Sequence, residues 1–255
     1  MIEEAKINRY KELLIRRDTL KKECELIWLQ YVKAFGPLLE TLFRQKIECI
    51  ALKKKIAYCQ SRQNRKEWVD FDELERSVQA ELTDYYDALK EICEAKEVET
   101  TPVSPCDMLL IKKLYRKIAS LIHPDLHPEL FQRRGIQELW QQAKAAYAAN
   151  DLAALQDAEF LILEAIGSMP DCKAPEAIEN IDERIAALQE EIARIIAAQP
   201  YQYKFILADS SLVSEEQQQL TEEIASYQSY RQELQERYQE LLNYFAEFTV
   251  TEVFS

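Results

Sequence analysis

Apolar side chains recur three and four residues apart along most of the chain, the period of helix faces. Between residues 3 and 35 the stripe is Tyr10, Leu13, Leu20, Cys24, Ile27, Tyr31 and Ala34, with Arg17 filling one slot. Gly36-Pro37 predicts a stop, with proline at the tolerated first position of the next helix. That helix runs to about residue 62 through Leu39, Phe43, Ile47, Ile50 and Ala57, and Ser61 to Lys66 makes a polar turn. Asp70 and Glu73 then offer a capping exchange for a third helix striped with Phe71, Leu74, Val78, Leu82, Tyr85, Leu89 and Ile92. Three antiparallel helices of this kind predict a bundle over residues 1–103.

A second segment, residues 104–167, opens on Ser104-Pro105, a cap followed by proline. Its first helix is expected to end at His123-Pro124-Asp125. A second helical stretch, from about Pro128 to Ala149, carries Gly135 as a candidate break. Asn150-Asp151 punctuates before a short helix to Ile166, and 167–175 reads as a linker. Residues 176–255 hold the most regular pattern. Ile178, Ile181, Ile185, Leu188, Ile192 and Ile195 step as a heptad seam. Pro200 ends it. A second seam runs through Leu220, Ile224, Tyr227, Leu234, Tyr238, Leu241 and Phe245, with Arg231 in one slot and Ser214/Gln217 as its capping box. The expectation is an antiparallel coiled-coil hairpin, and the fold class is all-α throughout.

Composition narrows the function. The chain has 255 residues and only 3 glycines, which excludes folds and phosphate-cradling loops built on glycine turns. The net charge is −13. Residues 176–255 hold 5 basic and 16 acidic side chains, so nucleic acid is an improbable partner for that segment. Eight basic residues and one acid between Arg44 and Lys66 lack aromatic interleaving, and predict a solvated face or one that meets the acidic C-terminal helices. The 6 cysteines show no metal-ligand spacing and predict reduced thiols of a cytoplasmic protein. Neither a signal peptide nor a bilayer-length apolar run is present, so no membrane partner is expected. No nucleophile elbow, zinc-protease motif or Walker loop occurs, so no catalytic residue, cofactor or metal is expected.

Both histidines lie in one loop, Ile122-His123-Pro124-Asp125-Leu126-His127-Pro128. Prolines after each bias them away from the helical geometry that a four-residue metal-binding spacing needs. The helix before the loop, Ile111-Lys112-Lys113-Leu114-Tyr115-Arg116-Lys117-Ile118-Ala119, has a different signature. Lys112 and Arg116, and Lys113 and Lys117, are each four apart, so two columns of positive charge run along its surface. No carboxylate lies between Met108 and Leu121.

This basic helix, the His-Pro-Asp loop and the following helix ending in Ala146-Tyr147 together resemble the J domain of DnaJ-type co-chaperones, over about residues 105–155. The resemblance implies a non-enzymatic protein that docks on the ATPase of a DnaK-type chaperone and stimulates it. Lys112, Lys113, Arg116 and Lys117 would steer and hold, Tyr115 would add contact area, and His123, Pro124 and Asp125 would form the trigger. Tyr85-Tyr86 looks like the family's first-helix signature, but Lys90 stands where its glycine would be. The glycine/phenylalanine-rich and zinc-binding regions of full-length DnaJ proteins are missing, which implies an adaptor that recruits an unknown client. The competing expectation is a structural scaffold that uses a J-like fold for protein–protein contact alone.

Overall fold

The computed structural model describes residues 2–97, 104–167 and 180–253, and among them every regular element is a helix. In chain order these are α1 (Ile2–Arg65), α2 (Phe71–Glu81), α3 (Thr83–Glu97), α4 (Pro105–Ile122) and α5 (Pro128–Phe131). They are followed by α6 (Arg134–Ala148), α7 (Leu152–Gly167), α8 (Ile181–Ala197), α9 (Tyr203–Ala208) and α10 (Ser210–Val253). The all-α expectation holds. The proposed linker at 167–175 lies, beyond Gly167, outside the described residues, as does Cys172.

Packing sorts the chain into two compact units rather than three consecutive segments. The first takes the chain up to Ile27 together with α4 to α8. The second takes the chain from Trp28 through α3, and from Tyr203 through α10.

The expected break at Gly36-Pro37 is absent, because α1 continues through it. Proline inside a helix loses one hydrogen bond and costs about 3 kcal/mol. Burial on both sides opposes that cost: Tyr31, Val32, Phe35, Leu39 and Leu42 all enter one apolar cluster with Ile92, Ala95, Leu220 and Ile224. Gly36 lets α3 come close, since a Cβ there would lie 2.8 Å from Lys96 Cγ. The expected third helix is in turn two helices. The Leu82 N–H reaches both Val78 O and Gln79 O, which closes α2 before α3 starts at Thr83. The start signal was correctly placed, as Asp70 Oδ1 accepts from the Glu73 N–H at 2.9 Å.

The coiled-coil hairpin is also replaced. The α8 seam, Ile181, Ile185, Leu188, Ile192 and Ile195, packs against Ile7, Tyr10, Leu13 and Leu14 at the start of α1. The α10 seam packs in the second unit. There Leu234, Leu241 and Phe245 join Ile47, Cys49, Ile56 and Cys59 of α1 with Leu74, Val78 and Leu82. Each seam thus takes α1 as its partner. Ser214 sits inside α10, where its hydroxyl donates to Ser210 O, and the cap is Asp209, which accepts from the Ser211 N–H. Most of the basic stretch of α1 is neutralised within its own unit. Arg44 pairs with Glu40, Lys46 with Glu223, Lys54 with Glu81, Lys55 with Glu75 and Arg62 with Glu67.

In the first unit, α4, α6 and α7 bury one another around Ile111, Ile118, Trp140, Ala143, Tyr147, Leu155 and Ile162. Ser104 caps α4 by accepting from the Asp107 N–H, with Pro105 at its first position. The stretch expected as one helix from Pro128 breaks at Gln132–Arg133 into α5 and α6. Asn150, at φ 56°, turns the chain from α6 into α7, and Asp151 accepts from the Ala154 N–H. This three-helix frame positions the loop that follows α4.

Candidate functional site: the His-Pro-Asp loop and its α1 neighbours

α4 ends where Pro124 stops the helical ladder. The His123 N–H still reaches Ala119 O at 3.0 Å, and its carbonyl accepts from Leu126 and His127 at 3.0 and 2.9 Å. These bonds make the loop a defined turn rather than a loose connection. The Asp125 N–H donates to His123 Nδ1 at 3.1 Å, which leaves the imidazole proton on Nε2. His127 Nε2 donates to Ser120 O at 3.0 Å, and burial holds this ring below the ordinary histidine pKa.

The imidazole of His123 turns inward. It is 3% exposed, and it meets the Trp140 ring edge to face at 5.1 Å. Its Nε2 faces Asp18 Oδ2 at 3.5 Å. Asp18 also accepts from the Tyr115 hydroxyl at 3.1 Å, and from Arg17 Nε and Nη2 at 3.0 and 2.9 Å. Burial pushes the Asp18 carboxyl up, but the His123 hydrogen bond and Arg17 outweigh it and hold it below its ordinary value. The second Arg17 terminus, Nη1, lies 3.7 Å from Asp125 Oδ2 and 4.0 Å from Glu191 Oε2. Lys21 joins the same Glu191 at 2.8 Å. A network therefore runs from α8 through α1 to the loop, all within the first unit.

Tyr115 departs from its expected surface role. It is 2% exposed, stacked on Tyr147 at 3.9 Å, with Trp140 at 5.9 Å. Burial and Asp18 raise its pKa, which keeps the hydroxyl a donor. Its place in the helical period explains the burial: Ile111, Tyr115 and Ile118 share the inner face of α4. The four expected cations are elsewhere. Lys112, Lys113, Arg116 and Lys117 are all exposed, and Lys117 reaches Glu159 of α7 at 2.7 Å. Asp125 remains 42% exposed at the side chain.

Arg17, Asp18 and Lys22 are neighbours of the loop that sequence reasoning did not assign to the site. Lys22 is buried. Its ammonium donates to Tyr147 O and to Asn150 Oδ1 and lies 3.7 Å over the Tyr147 ring, so it closes the carbonyl end of α6. Burial, then Lys112, pulls its pKa down to about 8. One signal was available: Arg17 occupies a slot in an apolar stripe, and a cation on a buried face needs a counter-charge. Together these side chains line a cleft of about 460 Å³ that opens beside Pro124 and Lys144.

No family model matches the chain, and no curated protein or solved structure shows significant similarity to it. No helix among the described residues is long and apolar enough to cross a membrane.

Proposed function

We propose that this protein is a non-enzymatic helical adaptor that docks on the ATPase domain of a DnaK-type chaperone and stimulates it. The observation that carries the reading is the row of exposed cations, Lys112, Lys113, Arg116 and Lys117, on the outer face of the helix that leads into His123-Pro124-Asp125. An acidic surface would be steered onto that face, and the charges would set association rate and orientation more than final affinity. Asp125 would make the contact at the tip. Since Arg17 already holds its carboxylate, docking exchanges an internal cation for one on the partner. The all-helical frame of the described residues fits recruitment of a particular client.

A second reading is a scaffold without chaperone contact. It is favoured by the burial of His123 and Tyr115, whose side chains serve the core of the first unit. Association kinetics with a DnaK-type chaperone separate the two. Lys112→Glu with Lys113→Glu should slow association about tenfold at low salt, and the difference should shrink as salt rises. Equal rates for both proteins at low salt favour the scaffold.

A further inference from the structure

We propose that the second unit binds a small amphipathic carboxylate, a carboxyl group carrying an apolar tail, in a pocket walled by α1, α3 and α10. The pocket measures about 330 Å³, at the lower end of the usual range for small-molecule sites. Four aromatic rings line it, Phe43, Tyr85, Tyr227 and Tyr230, and the charged side chains that reach it are both lysines, Lys46 and Lys53.

The walls are apolar and the two cations sit over them. Lys46 Nζ lies 5.3 Å from the Tyr227 ring centroid and Lys53 Nζ lies 5.0 Å from that of Tyr230. Among the described residues, no carboxylate lines the pocket. α10 carries nine glutamates and two arginines, yet it presents two of its four tyrosines to the pocket instead. Cys49 adds no negative charge: burial holds its thiol above the ordinary value, and its Sγ donates to Tyr227 O at 3.5 Å.

The two ammonium groups are not equivalent. Lys46 is already paired with Glu223 at 2.8 Å. Lys53 is exposed and, among the described residues, no carboxylate lies within ion-pair distance of it. It is the cation left to receive an anion at the rim, while the rings below take up the tail. An uncharged ligand would leave Lys53 unused, and the second charge of a dianion would meet only Lys46, which Glu223 already neutralises.

The test is equilibrium dialysis of the full chain with labelled decanoate and, in a second arm, labelled phenylpropanoate, with decanamide as the uncharged control. One saturable site is expected per chain. Lys53→Gln, an exposed substitution that leaves the core intact, should weaken the acid about tenfold, the loss expected for a charge-assisted hydrogen bond. Decanamide should bind wild type no better than decanoate binds the variant. Tighter binding of decanoate assigns an acyl tail, and tighter binding of phenylpropanoate an aryl one. No saturable binding of either acid, or equal affinity of wild type and Lys53→Gln, overturns the proposal.

Discussion

Arg17 Nη1 stands 3.7 Å from Asp125 Oδ2, so a guanidinium of α1 holds the exposed carboxylate of the His-Pro-Asp loop inside the same unit. The same arginine grips Asp18 through its other two nitrogens, and Asp18 faces His123. The loop's carboxylate and imidazole are therefore both engaged from within the chain. Among Arg17, Asp18, His123 and Asp125, Asp125 is the most open to solvent, whereas His123 is sealed beneath it.

Arg17→Ala frees Asp125 and leaves Asp18 with Tyr115 and His123. Its stability cost should be about 1–3 kcal/mol, because hydrogen bonds to a charged group are lost in a half-buried place. If docking requires the exchange of Arg17 for a partner cation, the variant should reach half-maximal stimulation of a DnaK-type ATPase at several-fold lower concentration. Urea unfolding and an ATPase titration read the two effects separately.

Asp18→Asn tests the buried end. The Asp18 carboxyl has a folded pKa below the 3.8 of the free group. Its contribution to stability is therefore complete above that value and is lost as pH falls through the lower folded one. The variant should be less stable than wild type by about 3 kcal/mol at pH 7, since it leaves Arg17 without its main counter-charge. The gap should narrow as pH falls below 3.8 toward the lower folded value. Urea unfolding at a series of pH values measures it, and a gap that stays constant into acid would show that charge is not what Asp18 supplies.

His123→Gln is not a silent probe. The imidazole packs on Trp140 and bonds the Asp125 N–H, so its replacement should cost about 2 kcal/mol in thermal or urea unfolding. The sequence alone, which places the residue in a loop between helices, predicts almost no loss. An unchanged midpoint would mean that the ring is not held as described.

Pro37→Ala tests the continuity of α1. If the helix runs through Gly36-Pro37, alanine restores a backbone donor and removes a steric conflict, and stability should rise by roughly 1–3 kcal/mol. A loss of stability on urea unfolding would indicate a true break, where proline is the favoured residue.

What was legible in the sequence was local. Ser104, Asp70 and Asn150 mark helix ends because a cap or turn is satisfied by residues two or three positions away. The inner faces of α4 and α6 follow from period alone. Partnership was not legible. A stripe such as Ile181, Ile185, Leu188 and Ile192 states that a face is buried, not what buries it, and both C-terminal seams proved to be covered by α1. Pro37 misled because its local cost is outweighed by distant contacts. The site was half visible: the loop and its exposed cations follow from the residues, while Arg17 and Asp18 lie about a hundred positions upstream. Arg17 and Arg231 each sit in an apolar seam, and each has found a carboxylate, Asp18 and Glu48. A charge in a seam was the clue that pointed across the chain.

Asp125→Asn tests most directly whether Asp125 is the point of contact with a chaperone ATPase. The side chain is half exposed and its ion pair with Arg17 is long, so the fold should lose less than about 1 kcal/mol. Single-turnover ATP hydrolysis by a DnaK-type chaperone from the same source is measured with wild type, with the variant and with neither. Acceleration by wild type and none by Asp125→Asn is expected, at equal helical content. Acceleration by both would contradict the role of Asp125, and acceleration by neither would contradict chaperone docking and favour the scaffold.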